Sequence, residues 1–306
     1  MSELSQLTPL QQRTLDALRR QGDPLIFDPA FIASLRDHVD DELAHFASRC
    51  GDDQIFLSKH RITSVLGCEV KHLADDAFAW TPAIATGQIS HRAIQLLLHW
   101  PGEPTAADLV DEAIERVGDE DTSLGEWIAS IEDADRADLH SAAVDRVIKF
   151  LESFPPLDRR SHPTTESSIR WPNRGPIILS GKVDLTLGRA VGAESRKVLI
   201  DLKTGWVQPF HRDDLRFYAL IETLRTEVPP RKLASFYLDS GEPQVEDVTE
   251  NVLRVAARRT LDAVNAEIEL RIEGRPPVAR PGRTCRWCSV RPDCPDGEAY
   301  LAELDD

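Results

Sequence analysis

The pattern of apolar and polar positions predicts a β-hairpin in the middle of the chain. Apolar and polar residues alternate over 182–187 and again over 197–204, where Leu199 is the one exception. A period of two is typical of strands whose side chains point alternately to opposite faces. The segment between them, 188–195, is bounded by glycine and reads as a connection. The two strands are therefore expected to pair with each other.

Helical periodicity dominates most of the remaining chain. Thr8 followed by Pro9 predicts the start of a first helix, and Asp28 followed by Pro29 opens a second helix that runs to about Ser48. Apolar residues also recur at helical spacing in two later segments, and one further stretch reads as a strand. The remaining predicted elements are helices within 101–155 and 248–273 and a strand at 232–238.

Composition places the chain among ordinary globular proteins. Of its 306 residues, 41% are hydrophobic and 29% are charged, and neither a long apolar run nor a signal peptide is present. We therefore expect a cytoplasmic protein with no membrane partner. The net charge of −16 argues against nucleic-acid binding over the whole surface. The charge is local, however, because 103–152 holds 15 acids and four basic residues, whereas 251–295 holds nine arginines and five acids.

Candidate chemistry lies on one face of the predicted hairpin. If the apolar faces of the two strands coincide, Asp184, Asp201 and Lys203 converge on one polar patch. Two carboxylates and a lysine suit a hard divalent cation with an activated water. The alternative is a half-exposed hairpin whose outer face carries charge with no further role.

A second candidate site lies near the end of the chain, in the segment 283–296. Cys285, Cys288 and Cys294 follow a C-x2-C-x5-C spacing, which favours a metal or cluster site over a core position. A four-ligand site needs one more residue, and no histidine follows His211. The fourth ligand is therefore expected far upstream. Cys50 reads as a small core residue.

Together these motifs resemble the PD-(D/E)XK nuclease superfamily, most closely RecB-like nucleases of the AddB type. The resemblance rests on four short stretches of this chain. They are Gly181–Asp184, Ile200–Gly205, a following helix with Tyr218, and the pair Ser64-x-Leu66-x-Cys68 and Gly87-x-x-x-His91.

The resemblance implies an α/β fold with a restriction-endonuclease-like core, in which a mixed central sheet is flanked by helices. The implied organisation is a helical N-terminal region at 1–60 and a RecB-like nuclease domain at 61–306. Within the second, 101–155 is an acidic helical insertion and 283–296 is the cysteine tail.

The resemblance also implies the site residues. His91, Asp184, Asp201 and the Leu202 carbonyl would bind Mg²⁺ or Mn²⁺, and Lys203 and Tyr218 would complete the catalytic set with the two aspartates. Cys68 would join Cys285, Cys288 and Cys294 around a [4Fe-4S] cluster, with Zn²⁺ in the same four thiolates as the alternative. The chain departs from the family at Asp214, where a glutamine is expected.

The predicted function is a Mg²⁺- or Mn²⁺-dependent deoxyribonuclease, an exonuclease acting on single-stranded DNA or DNA ends in repair or recombination. No helicase motif is present, so unwinding would come from a helicase partner. Trp206, Phe210 and Tyr218 could stack on unpaired bases. Two alternatives stay open: a weak or inactive nuclease fold that serves as a DNA-binding or protein-interaction module, and a zinc-stabilised structural protein.

Overall fold

The structure, a computed structural model, describes residues 7–74, 78–120, 122–208 and 210–305. Its helices are α1 (Pro9–Leu18), α2 (Pro29–Ala47), α3 (Lys59–Gly67), α4 (Glu69–Leu73), α5 (Pro82–Leu97), α6 (Ala106–Asp119), α7 (Ser123–Ser130), α8 (Asp133–Ser153), α9 (Phe210–Thr226), α10 (Glu250–Arg271) and α11 (Pro295–Asp305). Its strands are β1 (Ile55–Leu57), β2 (Thr164–Trp171), β3 (Ile177–Leu187), β4 (Val198–Lys203), β5 (Lys232–Tyr237) and β6 (Glu242–Asp247).

The first two helices begin where the sequence predicts. The Thr8 hydroxyl accepts from the N–H of Gln11, whose side chain accepts from the N–H of Thr8 in return, and this capping box starts α1. The Asp28 carboxylate accepts from the N–H of Ala30 at the start of α2. Strand β1, which the sequence analysis did not predict, then leads from these helices into the sheet.

The six strands form one mixed sheet, which confirms the expected fold class. Hydrogen-bonded neighbours run β1–β3–β4–β5–β6, and β2 pairs with β3 along the edge opposite β1 and β4. The predicted hairpin is confirmed, since β3 and β4 pair antiparallel with Leu185 opposite Ile200. Strand β1 is parallel to β3, and β4 is parallel to β5.

Strands β1 and β4 pair with successive parts of one edge of β3, and β2 pairs along the opposite edge. Leu179 pairs with Leu57 of β1 and with Trp171 of β2, so β1 and β2 lie on opposite sides of β3. On the side of β1, pairing resumes only at Leu185, which β4 takes up. The stretch 180–184 therefore faces a gap between β1 and β4. We call this gap the fork.

Both faces of the sheet are covered, so the half-exposed hairpin considered from the sequence is wrong. One face packs against α2, α3, α9 and α10, and the other against α5, α6 and α8. Leu199 is 2% exposed on the polar face predicted for β4. The reason is that the strands of the parallel pairs, β1–β3 and β4–β5, are connected through helices, and these helices cover both faces of the sheet.

The acidic insertion and the basic segment both pack as parts of this fold. Helices α6, α7 and α8 share one hydrophobic cluster with α5, as their apolar spacing predicts. Many arginines of the basic segment are in ion pairs, for example Arg271 with Glu267 and Arg259 with Asp213. No helix among the described residues is long and apolar enough to span a membrane.

A buried carboxylate on α10 connects three helices. Glu267 is 0% exposed and accepts from Nε and Nη2 of Arg61 on α3, at 2.7 and 2.9 Å. His72 of α4 places Nε2 at 2.9 Å from the same carboxylate. Burial alone would raise the pKa of Glu267, but His72 and Arg61 outweigh it and lower that pKa to about 2.

Replacement of Glu267 by glutamine should therefore destabilise the protein by about 3 kcal/mol at neutral pH. The lowered pKa means that the carboxylate contributes fully above its ordinary pKa of 4.5 and loses its contribution as the pH falls towards about 2. Chemical denaturation at a series of pH values measures this difference. It should shrink steadily below pH 4.5.

Glu250→Gln is the matched control, because Glu250 forms an exposed pair with Arg254 on the same helix. Its loss should cost at most about 0.5 kcal/mol. A Glu267→Gln protein as stable as the control at neutral pH would contradict the assignment of Glu267 as a buried anchor.

Candidate active site

The centre of the candidate site is the carboxylate of Asp201 on β4. Asp201 is 0% exposed, although a buried carboxylate is costly unless cations compensate it. Lys59, the first residue of α3, donates from Nζ to Oδ1 of Asp201 at 2.7 Å. Lys203 places its Nζ 2.7 Å from Oδ2. The two ammonium groups thus flank the carboxylate.

These lysines decide the charge of the Asp201 carboxylate. Burial by itself would raise the pKa of Asp201, but Lys59 and then Lys203 outweigh burial and lower it. Burial would likewise lower the pKa of Lys59, yet the Asp201 carboxylate, with smaller help from Tyr218 and Asp184, raises it. Each group therefore stabilises the charged form of the other.

Asp214 completes this set from α9. Its Oδ2 accepts from Nζ of Lys203 at 3.0 Å, and the residue is buried. Asp213 and Asp214 both lie within α9, which begins at Phe210, so neither caps the helix. At the position where a glutamine was expected, the chain thus places a carboxylate that holds the site lysine.

Asp184 lies at the fork and reaches across it. Its Oδ2 accepts from the N–H of Leu202 at 2.7 Å, beyond the last β3–β4 pair. The same oxygen lies 3.7 Å from Nδ1 of His91 on α5. Burial raises the pKa of Asp184 to about 6, against the opposing effect of His91. Leu202 thus enters the site through its N–H, and the role expected of its carbonyl stays a prediction.

A further acid, which the sequence analysis missed, joins His91 and Asp184. Glu166 on β2 belongs with them to a group whose ligand atoms all lie within 4.8 Å of one another. Its backbone is left-handed, with φ of 53°, which is a strained conformation for this residue type. Lys182 of the paired strand β3, which lies opposite Ser168, forms an ion pair with it. Glu166 is the one charged residue among four hydroxyl residues at 164–168, a signal that could have marked it.

This group opens onto a cavity of about 250 Å³ between the sheet, α5 and the insertion. Residues of β2 and β3, of α5 and of the insertion line it, and His91 and Glu166 form part of its wall. Its lining includes Trp80, Gln88, His91, Arg92, Glu166 and Lys182.

The residues present fit a divalent cation. Imidazole and carboxylate oxygens are ligands that Mn²⁺ accepts, and carboxylates suit Mg²⁺. In addition, Oδ2 of Asp201 is buried and accepts no hydrogen bond of adequate geometry from the described residues, although Lys203 lies near it. A buried oxygen with a spare lone pair is suited to a cation.

Tyr218 lies beneath the fork rather than in the cavity. It is 2% exposed, so the expectation that it stacks on DNA bases is wrong, whereas Trp206 and Phe210 are exposed. A Cβ at Gly181 would lie 2.3 Å from Cε1 of Tyr218, so the ring packs directly on the glycine backbone. The Nζ of Lys59 lies 5.2 Å from the centre of the same ring. Tyr218 thus supports both β3 and Lys59.

The cysteine tail is anchored beside Cys68. Glu69 is buried and accepts from Arg275, Arg280 and the N–H of Val278, and the N–H of Arg280 lies 3.4 Å from Sγ of Cys68. Hydrogen bonding from Arg275 outweighs burial and lowers the pKa of Glu69 to about 2. The segment that contains Arg275, Val278 and Arg280 therefore lies beside Cys68, shortly before the three tail cysteines.

The tail cysteines approach one another without forming a single-ion site. Sγ of Cys294 and Sγ of Cys285 lie 3.4 and 3.6 Å from the position of a Cβ at Gly297, so both border one small space. Among the described residues, no three sulfurs lie within 4.8 Å of one another. All five cysteines are free, and Cys50 is buried as expected. A four-thiolate cluster stays a prediction.

Comparison with known proteins identifies the family. The model of the PD-(D/E)XK nuclease superfamily matches residues 57–295. The chain belongs to this superfamily. Among solved structures, the chain is similar to a putative exonuclease from Eubacterium rectale, with 13% identity and a TM-score of 0.44 over 78% of this chain and 87% of the other. It is also similar to SSO0001, with 17% identity and a TM-score of 0.29 over 69% and 96%. No curated protein matches.

The extent of the superfamily match agrees with the geometry. It begins at Leu57, the last residue of β1, and ends at Pro295, so it includes the fork and all four candidate thiolates. Lys59 lies inside this range, two residues after β1, but the sequence analysis missed it. Nothing in its local sequence distinguishes it from a solvated lysine at the start of a helix.

The packing of Tyr218 predicts the effect of a methyl group at Gly181. Gly181→Ala should destabilise the protein by about 1–3 kcal/mol, because the added Cβ overlaps the ring. The same change should cost less in a Tyr218→Leu background, where the ring is absent. A double-mutant cycle by chemical denaturation measures this coupling.

Gly118→Ala serves as the control, since a Cβ there meets no atom within 4 Å. It should be neutral or stabilising by up to about 1 kcal/mol. Equal costs for Gly181→Ala in both backgrounds would show that the close approach of Tyr218 is not the constraint at this glycine.

Proposed function

We propose that this chain is a Mg²⁺- or Mn²⁺-dependent DNA nuclease that hydrolyses phosphodiester bonds at the fork. The observation that carries the proposal is the convergence of His91, Asp184 and Glu166 within 4.8 Å, beside the buried Asp201 carboxylate. Membership of the superfamily supports the reaction class. The choice of DNA as substrate and of Mg²⁺ or Mn²⁺ as the cation belongs to the proposal.

Each residue of the site has its own role in the proposed reaction. His91, Asp184 and Asp201 would hold the cation, with Glu166 as an additional ligand. A bound divalent cation polarises the phosphate and lowers the pKa of a water. Lys203, held by Asp201 and Asp214, places a fixed positive charge where phosphate oxygens gain negative charge. The N–H of Leu202 holds the Asp184 carboxylate in place.

The surroundings suit a nucleic-acid strand. The cavity beside His91 provides access to the site, and Trp80 on its wall could stack on a base. Trp206, 88% exposed, follows β4 and Lys203 on the loop before α9. Aromatic faces favour unpaired bases, so the proposed substrate is single-stranded DNA or a DNA end, as expected of an exonuclease.

The finer assignment follows the resemblance. We place the chain in the RecB-like branch of AddB type, acting in the cytoplasm in DNA repair or recombination with a helicase as partner. Support comes from the order of motifs, in which Cys68 and His91 precede the hairpin and the tail cysteines follow it. Digestion of end-labelled linear and circular DNA, each single- and double-stranded, with Mg²⁺, Mn²⁺ or EDTA tests substrate and metal together.

Asp184→Asn should abolish cleavage without loss of stability. The amide cannot supply a charged ligand, but it can still accept from the N–H of Leu202. Because burial disfavours the charged carboxylate, the melting temperature at pH 7.5 should stay the same or rise. Cleavage assays and thermal denaturation of the same preparation measure both effects.

Asp262→Asn is the matched control, since Asp262 is exposed on α10. It should retain wild-type activity and stability. An active Asp184→Asn protein would sink the nuclease assignment of this site. A wild type that binds DNA but cleaves none of the substrates would favour the alternative, a DNA-binding or protein-interaction module.

We also propose that Cys68, Cys285, Cys288 and Cys294 hold a [4Fe-4S] cluster, with Zn²⁺ in the same thiolates as the alternative. Support comes from the Glu69 anchor, which brings the tail to Cys68, and from the space that Cys285 and Cys294 share beside Gly297. When bound, such a group would link the start of the nuclease region to its end. Closing so long a loop removes unfolded-state entropy.

Cys68→Ala should lower the iron content and the melting temperature of anaerobically purified protein as much as Cys288→Ala does. Absorbance, metal analysis and thermal denaturation measure these effects, and Cys50→Ala is the control that should change none of them. Stoichiometric zinc in colourless protein would replace the cluster by a zinc site. A harmless Cys68→Ala would show that the upstream ligand is not Cys68.

A further inference from the structure

Lys59 is placed as a part of the site rather than as a surface residue. Its side chain is mostly buried, its Nζ donates to Oδ1 of Asp201 at 2.7 Å, and the Tyr218 ring lies 5.2 Å away. The helix that carries it is fixed by the Ser58 cap and by the pair between Arg61 and Glu267. The ammonium group is therefore held against the carboxylate.

The charges of the described site nearly balance with Lys59 present. Four carboxylates face three ammonium groups, so these seven side chains carry one net negative charge when all of them are ionised. The carboxylates are Glu166, Asp184, Asp201 and Asp214, and the ammonium groups are Lys59, Lys182 and Lys203.

The net charge of the site determines how costly it is to bind a cation alone or a cation together with a phosphate. A divalent cation would convert one net negative charge into one net positive charge in a buried place, where uncompensated charge is costly. A phosphodiester group carries one negative charge and restores neutrality. Without the Lys59 ammonium, the set would carry two negative charges, and the cation alone would neutralise it.

We propose that Lys59 couples cation binding to DNA binding: its positive charge weakens the hold of the site on a divalent cation until a DNA phosphate arrives. This inference rests on the proposed metal-dependent nuclease function and adds a role for a residue outside the stretches on which the resemblance rests. Since coupling is reciprocal, the cation strengthens DNA binding by the same factor.

The test is Mn²⁺ binding to the full chain, followed by the electron paramagnetic resonance signal of free Mn²⁺. Titrations are run without DNA and with a single-stranded phosphorothioate oligonucleotide, which keeps its charge and resists cleavage. Binding of Mn²⁺ to the oligonucleotide alone is subtracted. We expect the oligonucleotide to tighten Mn²⁺ binding to the wild type by about tenfold or more, within the usual range of couplings.

In Lys59→Gln, which keeps a hydrogen-bond donor but loses the charge, Mn²⁺ should bind tightly without DNA, and the oligonucleotide should add less than about threefold. Lys59→Arg keeps the charge and should behave like the wild type. Lys71→Gln, the same change on the adjacent α4, should do so as well. Circular dichroism verifies that each variant is folded.

Several outcomes would overturn the inference. The wild type alone tests it, because Mn²⁺ binding that is unchanged by the oligonucleotide removes the coupling, whether or not Lys59→Gln folds. Equal coupling in Lys59→Gln and wild type would show that another residue is responsible. Weaker Mn²⁺ binding to Lys59→Gln would make Lys59 a support for the metal ligand. A wild type that binds no Mn²⁺ in either titration would refute the proposed function itself, which is a distinct result.

Discussion

The burial of the Asp201 carboxylate is the constraint on which the site depends. A carboxylate inside a sheet covered on both faces needs cationic partners, and the chain supplies them from two elements, Lys59 on α3 and Lys203 on β4. Lys203 in turn requires Asp214 on α9. The position of α3, β4 and α9 relative to one another is thus tied to one charge.

The fork makes room for this chemistry. Two strands share one edge of β3, and the unpaired stretch between them leaves the Leu202 N–H to the Asp184 side chain instead of to a backbone carbonyl. Gly181 lies in the same stretch, and its missing side chain lets the Tyr218 ring approach the backbone. An interrupted ladder, held open by an aspartate and a buried ring, therefore presents polar side chains where a continuous sheet would present none.

The charges of the site nearly balance one another. The lysines compensate the buried acids in the folded chain, and the same lysines limit how much positive charge the site can accept. Under the proposed function, a metal and a phosphate would have opposite effects on that balance, so a site of this kind would favour binding both over binding either one. The tail follows a related rule, since the Glu69 carboxylate is buried only because Arg275 and Arg280 return to meet it.

Much of this protein was determined by the sequence alone. The helix starts at Thr8 and Asp28 and the β3–β4 hairpin followed from capping residues and period-two alternation, which are local signals. The mixed α/β fold was implied by the resemblance of short motifs to the superfamily. The roles of Lys59 and Glu166 were decided only by the tertiary structure. Lys59 lies 142 positions from Asp201, and Glu166 becomes part of the site through strand pairing and a left-handed backbone. The burial of Tyr218 likewise arose from packing against Gly181, because a helical stripe does not specify which strand covers it.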